Sequence, residues 1–230
     1  MSFFEDSIEI FHGSPRIVRS PRFGEGNLHN DYGLGFYCTR SVELAKEWAC
    51  PEPKDGFANR YCLDLTGLDI LDLQSGGYHI LNWLAILLKN RIFETNAPLV
   101  RDAREYILEV FTPDYKSRDV IVGYRADDSY FSFARAFVGG AISLASLTKA
   151  MKLGRLGEQI CVRSEQAFSQ IRYLGCERAE SREYYIKRCA RDEKARRDYI
   201  ELSKNIPAKD GIYVLDMLRQ EWKNDDPRLR

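Results

Sequence analysis

Alternating and clustered apolar residues in the first quarter of the chain predict strands on either side of a long loop. Residues 7–11 alternate polar and apolar side chains, as expected for a short strand. A Pro-, Gly- and Arg-rich segment of more than twenty residues follows, and connections of that length inside a domain are usually functional. Residues 35–39 predict a second strand. Ser41 is a candidate N-cap for a helix that Pro51 ends.

Further along the chain, helical spacing and short apolar runs alternate. A mostly buried helix is expected at 79–93 and three more at 98–111, 129–138 and 143–152, with strands at 62–65, 119–124 and 159–162. Pro98 stands at the first position of its helix, where proline is favoured. Ser164 is a candidate N-cap for one more helix. These elements predict an α+β fold.

The composition changes after Gly175. Residues 177–204 hold sixteen charged side chains, nine basic and seven acidic, and few large apolar ones. This pattern favours a solvated helix or helical hairpin, and a short amphipathic stretch follows at 212–222. The sequence therefore predicts a domain at 1–175 and a charged helical C-terminal extension at 176–230.

The overall composition suits a globular protein. Of 230 residues, 44% are hydrophobic and 30% charged, which argues against disorder, collagen and coiled coil. Lysine plus arginine and aspartate plus glutamate both total 34, so the formal net charge is zero. Such a chain has no overall electrostatic field that attracts nucleic acid or anionic lipid, although zero net charge does not exclude a local basic groove.

The chain shows no membrane or export signal. Its most apolar stretch, residues 80–88, is too short to span a bilayer, and its first residues lack the pattern of a signal peptide. None of the six cysteines forms a CxxC pair or groups with histidine at zinc spacing. We therefore expect a cytoplasmic protein with reduced cysteines, no membrane partner and no metal.

Two short motifs flank the long loop. The first is His12-Gly13-Ser14, at the end of the first strand. A lone histidine here is often a structural hydrogen-bonding group, but the following glycine lets a ligand approach the backbone closely. The second is Gly33-Leu-Gly-Phe-Tyr-Cys-Thr39. It opens a strand and not a helix, so it is not a dinucleotide-binding fingerprint, and no P-loop lysine follows.

Together, an apolar strand ending in HGS, then GLGFYCT, then a helix carrying Trp48 resemble the NAD-binding half of ADP-ribosyltransferases. The resemblance is to the histidine–tyrosine–glutamate branch, which includes diphtheria toxin and the poly(ADP-ribose) polymerases. It also extends to an uncharacterised bacterial family with HGS and GFYxT motifs. It covers roughly residues 8–175 and is strongest over 10–49. It implies a split mixed and antiparallel β-sheet fold with inserted helices.

The resemblance implies roles for individual residues. His12 would bind the adenosine ribose, and the Gly13 backbone would hold the nicotinamide carboxamide. Tyr37 and Trp48 would stack on the nicotinamide ring, although core packing is the ordinary role of such aromatic residues. Ala45 stands where the family often has a serine that contacts the carboxamide. The motifs imply three further NAD-binding residues, Ser14, Thr39 and Arg22.

The third family motif is a glutamate that opens a strand, and here two neighbouring residues compete for that position. Spacing favours Gln159, while Glu158 precedes it. Adjacent strand residues point to opposite faces, so both cannot face one ligand unless the strand start is irregular. A carboxylate stabilises the positive charge that develops on the ribose, whereas an amide adds no charge. The resemblance therefore predicts catalytic roles for His12, Tyr37 and Gln159 or Glu158, and transfer of single units.

The long loop and a second loop carry weaker signals. Arg16, Arg19 and Arg22 lie where relatives cover the NAD phosphates, although loop arginines also serve solubility. Residues 152–156 lie where relatives carry the loop that selects the acceptor. The implied activity is transfer of ADP-ribose from NAD to a macromolecular acceptor, protein or nucleic acid. The alternatives are a catalytically silent NAD- or ADP-ribose-binding module, an NAD glycohydrolase, or a bacterial toxin whose charged tail docks an antitoxin or immunity protein.

Overall fold

The computed structural model describes residues 6–94, 97–126, 128–151, 157–205 and 211–229, with the side chains of 128–130 and 202–205 excepted. The strands are β1 (Ser7–Ser14), β2 (Phe36–Cys38), β3 (Gly56–Asp64), β4 (Ile70–Asp72), β5 (Val120–Tyr124), β6 (Glu158–Val162) and β7 (Ile171–Ala179). The helices are α1 (Val42–Ala49), α2 (Ile80–Asn90), α3 (Pro98–Phe111), α4 (Asp128–Val138), α5 (Leu144–Ala150), α6 (Glu165–Ser169), α7 (Ser181–Asn205) and α8 (Val214–Arg219).

The strands form two sheets, which confirms the α+β class. The first sheet is antiparallel and has the order β1-β3-β7. The second has the order β2-β6-β5-β4 and is mixed, because β4 and β5 are parallel. Among the described residues, the two sheets meet edge to edge at one isolated bridge, in which the N–H groups and carbonyls of Phe11 and Thr39 pair at 2.8 and 2.9 Å. Beyond this bridge β1 and β2 separate.

The period-2 alternation of the strands sorts the core into layers. On β5 and β6, Val122 and Ile160 pack toward the first sheet, in one cluster with Ile10. Their neighbours Ile121 and Cys161 face the opposite way and pack with the helical layer. The order of layers is therefore α1, first sheet, second sheet, then a helical layer that contains α2, α3, α4, α5 and α8, with α2 buried along nearly its whole length.

Most predicted elements are confirmed at their expected places. Ser41 and Ser164 cap α1 and α6 by accepting hydrogen bonds from backbone N–H groups, and α3 begins at Pro98. The long loop between β1 and β2 is also confirmed.

The segment around Gly175 differs from the prediction. Residues 171–179 form β7, the edge strand of the first sheet, so the charged helix begins at Ser181 and not at residue 177. Gly175 has a φ of 151° and lies at a register shift in the pairing with β3, where one extra residue makes a β-bulge. The expected boundary between residues 175 and 176 falls within this strand. From Ser181 to Asn205 the chain is one continuous helix, and not a hairpin.

Helix α1 packs very closely on β1, and Gly13 is the reason that it can. A Cβ atom at Gly13 would lie 2.1 Å from the Ala45 carbonyl oxygen and 2.7 Å from Cβ of Trp48. Only glycine leaves space for the helix backbone at this distance. The glycine of the first motif thus fixes the position of the helix that carries Trp48.

We expect the substitution Gly13→Ala to lower the free energy of unfolding by about 2–3 kcal/mol, because the added methyl group overlaps the backbone of α1. Urea denaturation measures the change. Gly76→Ala is the matched control, since a Cβ there meets nothing within 4 Å, and it should shift stability by less than about 0.5 kcal/mol. Equal stabilities of the two variants would contradict the close packing.

Candidate functional site

A cavity of about 640 Å³ opens where β1 and β2 separate. This volume lies in the range of small-molecule sites, roughly 300–1,000 Å³. Elements distant in sequence contribute to it: the end of β1, the long loop, β2, α1, the start of β6 and helix α7. Its described lining includes most of the residues predicted for an NAD site, namely His12, Gly13, Ser14, Arg16, Arg22, Tyr37, Trp48 and Gln159.

His12 links the two sheets at the cavity wall. Its Nδ1 lies 2.7 Å from the carbonyl oxygen of Tyr37, and its ring packs against Phe36 at a tilt of 32°, with 4.4 Å between centroids. A carbonyl only accepts, so Nδ1 carries the proton. Burial lowers the pKa of His12, partly offset by this hydrogen bond. At neutral pH the imidazole is therefore uncharged and Nε2 is a hydrogen-bond acceptor.

The backbone of Gly13 lies on the open edge of β1. Residues two apart in a strand direct their N–H and C=O groups to the same side. Phe11 uses that side to pair with Thr39, and among the described strands no partner continues the pairing at Gly13. The N–H and C=O of Gly13 therefore form a fixed donor–acceptor pair at the cavity.

Tyr37 lines the cavity, and its hydroxyl anchors the preceding loop. The hydroxyl donates to the Gly33 carbonyl at 2.5 Å and accepts from the Tyr32 N–H at 3.1 Å. The two tyrosine rings are stacked, with 6.4 Å between centroids. Burial raises the pKa of Tyr37 far above its usual value, so the hydroxyl stays protonated. Its chemical role is thus limited to the ring face and to holding the loop.

Trp48 reaches the cavity from the last turn of α1. The Arg125 guanidinium lies 4.4 Å from the centre of the indole ring, a cation–π contact. The indole Nε1 is buried and has no hydrogen-bond partner among the described residues. A buried N–H without a partner is costly, and a ligand that accepts from it would remove the cost. Ala45, at the family's serine position, is fully buried and lies outside the cavity lining.

Gln159 and Glu158 lie on opposite faces of β6. Gln159 lines the cavity, is 7% exposed, and has a buried Oε1 with no hydrogen-bond partner in the described part of the chain. Glu158 lies outside the lining and forms an ion pair with Nε of Arg40 at 3.0 Å. Burial raises the pKa of Glu158. The residue of the third motif that faces the cavity is therefore an amide and not a carboxylate.

Thr39 and Arg19, two other candidates, also lie outside the described lining. Thr39 is buried at the bridge, and its hydroxyl accepts from the Ser41 N–H at 3.2 Å. Ser14 does line the cavity, and its hydroxyl accepts from the Arg16 N–H at 3.3 Å. Residues 152–156, expected to choose the target, lie outside the described residues.

Asn59 anchors the long loop, a role that its sequence context did not reveal. This fully buried residue on β3 accepts from the Val18 N–H at 2.8 Å. Its amide donates to the carbonyls of His12 at 3.3 Å and Arg16 at 3.2 Å. The hydroxyl of Tyr61 also donates to the Val18 carbonyl. The start of the loop is therefore fixed relative to His12.

A buried ion pair forms another part of the cavity wall that sequence reasoning missed. Oδ1 of Asp31 accepts from Arg91 Nε at 2.8 Å, and Oδ2 accepts from the Ala126 N–H at 2.8 Å. Burial raises the pKa of Asp31, and Arg91 and the backbone hydrogen bond oppose that change. The pair joins the loop before β2 to the end of α2. Because its two partners are 60 residues apart, no local sequence pattern indicates this ion pair.

Helix α7 supplies three further wall residues, Arg188, Asp192 and Arg196. The charge pattern of this helix predicts a solvated extension. The spacing of four residues was visible and indicates one helix face, but the neighbour of that face was not. Elsewhere in the described ranges, no group of three or more His, Cys, Asp or Glu side chains could hold a metal ion, and no helix is long and apolar enough to cross a membrane.

Comparison with known proteins gives one family match. A family model described as "Protein of unknown function (DUF3990)" matches residues 8–173. Searches of curated proteins and of solved structures gave no match. The matched region includes the cavity residues on β1, β2, α1 and β6, and it ends before α7.

The lowered pKa of His12 makes stability depend on pH. In the unfolded chain the imidazole has its usual pKa of about 6.5, so the unfolded state binds a proton more readily than the folded state. We therefore expect the free energy of unfolding to fall as the pH drops below about 6.5, toward the lowered pKa. The slope should reach at most about 1.4 kcal/mol per pH unit.

Urea denaturation at about pH 7.5 and about pH 5.5 measures this loss of stability. The variant His12→Gln removes the titrating group, and its stability should fall less between the two pH values. His29→Gln, which removes an exposed imidazole outside the cavity, is the matched control. An equal pH dependence of wild type and His12→Gln would contradict the assignment.

Proposed function

The chain belongs to the family described as "Protein of unknown function (DUF3990)", and from its cavity we propose that it is an NAD-dependent mono-ADP-ribosyltransferase. It transfers one ADP-ribose unit from NAD to a macromolecular acceptor and releases nicotinamide. NAD is the substrate. The proposal includes the fold of the ADP-ribosyltransferases, with a split between an antiparallel and a mixed sheet.

One observation carries this proposal. Residues singled out by three separate motifs, from β1, β2 with α1, and β6, line one cavity at the split between the sheets. They are His12, Gly13, Tyr37, Trp48 and Gln159. Their separation in sequence is as large as 147 positions, so local propensity alone gives no reason for them to meet.

The cavity residues fit NAD by their chemistry. The carboxamide of nicotinamide both donates and accepts hydrogen bonds, and the edge of Gly13 offers one group of each kind. The rings of Tyr37 and Trp48 suit a planar cationic ring. The buried Oε1 of Gln159 would accept from a ribose hydroxyl, and Nε2 of His12 from the other ribose. The arginines of the lining suit the diphosphate.

In the proposed reaction the bond between ribose C1′ and the nicotinamide nitrogen breaks, and its electron pair leaves with neutral nicotinamide. The positive charge that develops on the ribose is then quenched by an acceptor nucleophile, which loses a proton. Gln159 would hold the ribose but adds no negative charge. This favours transfer of a single unit and a modest rate. We assign His12 and Tyr37 to binding and orienting NAD.

A second candidate function is a silent NAD- or ADP-ribose-binding module, with slow NAD hydrolysis as a variant of it. Two contacts favour it. The carboxylate of Glu158 points away from the cavity and pairs with Arg40, and the Arg125 guanidinium lies on the Trp48 ring that would stack on nicotinamide. The toxin hypothesis, with a neutralising antitoxin or immunity protein as partner, stays a prediction, as does a cytoplasmic location.

The activity is tested by incubating the protein with radiolabelled NAD and with bulk protein or RNA, while released nicotinamide is measured. We expect label on one acceptor class. His12→Ala and Tyr37→Ala should lower transfer about tenfold or more, because each removes a contact to the dinucleotide. His29→Ala is the matched control, since it removes a histidine outside the cavity.

Binding of NAD, measured by calorimetry, without transfer or nicotinamide release would favour the silent module. Unchanged transfer in His12→Ala would refute the site.

The third motif is tested by exchanging amide and carboxylate at the two neighbouring positions. Gln159→Glu should raise the rate of nicotinamide release about tenfold or more, because it directs a negative charge at the developing cation. Glu158→Gln should have little effect, since that side chain lies on the other face of β6. Single-turnover release of nicotinamide measures both rates. A loss of rate confined to Glu158→Gln would assign the motif to Glu158 instead.

A further inference from the structure

The charged C-terminal helix presents one face to the cavity. Arg188, Asp192 and Arg196 follow one another at intervals of four residues, which aligns them on one side of α7. This face lies outside the family-matched region, which ends at residue 173. The cavity therefore has a wall that the motifs of the matched region do not include.

The near end of α7 is held against α1. Lys187 pairs with Glu43 at 3.3 Å, and Arg191 donates to Glu47, whose side chain is buried. The hydroxyl of Tyr184 also donates to Glu43, at 3.2 Å. Because Glu43 and Glu47 lie one turn apart on α1, these contacts fix two turns of α7 beside the helix that carries Trp48.

The far end of α7 is held against the helical layer. Ala195 is fully buried in that core, and the ring of Tyr199 stacks on Phe133 with 4.1 Å between centroids. Contacts at both ends leave the face between them fixed at the cavity. Arg188 and Arg196 are therefore built into the wall and are not part of a loose tail.

Arginines outnumber carboxylates in the described lining of the cavity. Six arginines and three carboxylates belong to the described lining. Two of the carboxylates have arginine partners in that lining, Asp31 with Arg91 at 2.8 Å and Glu25 with Arg22 at 3.6 Å. The third carboxylate, Asp192, lies between the two arginines of α7. A cavity wall in which guanidinium groups outnumber carboxylates attracts anions, and phosphate matches the geometry of guanidinium groups best.

We propose that Arg188 and Arg196 of α7 form a phosphate-binding subsite of the cavity. This deepens the proposed function and rests on it in one respect, that the cavity takes a phosphate-bearing ligand. The phosphate comes either from the diphosphate of the bound dinucleotide or from a phosphate group of the acceptor. The chemistry of recognition is the same for both sources, and competition between ligands separates them.

The experiment uses the full chain and two probes, NAD and inorganic pyrophosphate, each titrated by calorimetry. Arg188→Gln and Arg196→Gln remove one guanidinium each and should weaken pyrophosphate binding about tenfold, the effect of one charge-assisted contact. Arg197→Gln is the matched control, because it lies on the same helix, pairs with Glu193 and is absent from the described cavity lining. Urea denaturation of each variant verifies that the fold is kept.

The source of the phosphate follows from competition. If pyrophosphate displaces NAD and both bind more weakly to Arg188→Gln, the subsite holds the diphosphate of the dinucleotide. If pyrophosphate binds while NAD saturates the protein, and Arg188→Gln weakens the binding of pyrophosphate but not of NAD, the subsite takes a phosphate of the acceptor. If wild type and both variants bind pyrophosphate equally, or none binds it, the subsite is refuted. Variant-sensitive pyrophosphate binding without any NAD binding would refute the proposed function and leave the subsite standing.

Asp192 gives a test in the opposite direction. The substitution Asp192→Asn removes a negative charge from the same helix face, so pyrophosphate should bind about two- to fivefold more tightly. A general loosening of α7 would weaken binding in all three cavity variants. Weaker binding in the arginine variants together with tighter binding in Asp192→Asn therefore identifies a local electrostatic subsite. Weaker binding in Asp192→Asn as well would count against it.

Discussion

Where β1 and β2 stop pairing, the hydrogen bond from Nδ1 of His12 to the Tyr37 carbonyl takes over the link between the two sheets. It holds the strands close enough to share a wall and far enough apart to leave a cavity. The same contact fixes the tautomer of His12 and leaves Nε2 as an acceptor. It also fixes the backbone of Tyr37, whose hydroxyl then secures the preceding loop. This one hydrogen bond thus joins the two sheets and also determines which nitrogen of His12 can accept a hydrogen bond from a ligand.

Local patterns predicted most of the fold. Caps at Ser41 and Ser164, the proline that opens α3 and the apolar runs of β5 and β6 each act within a few residues, so the sequence reveals them directly. Strand β7 was missed because it is a charged edge strand broken by a bulge, and it lacks regular apolar alternation. Gly175, the residue at which the composition changes, lies at this bulge.

The candidate site was predictable only as far as its motifs extend. His12, Gly13, Tyr37, Trp48 and Gln159 were all selected by resemblance, and all line the cavity. The rest of the wall was not accessible in this way. The Asp31–Arg91 pair and the face of α7 depend on which elements become neighbours in space, and periodicity along one element does not contain that information. The zero net charge of the chain likewise does not reveal the arginine-rich wall of the cavity, since it averages over the whole molecule.

The placement of β7 has a consequence for how this chain can be divided. The family match ends at residue 173, after only the first three residues of β7. A fragment that stopped there would uncover the outer edge of β3, which is nine residues long and pairs with β7 along most of its length. Unpaired strand edges of this length recruit other strands and promote aggregation. Residues 174–179, which follow the matched region, complete β7 and so cover the edge of β3 that the matched region alone would leave open to another strand.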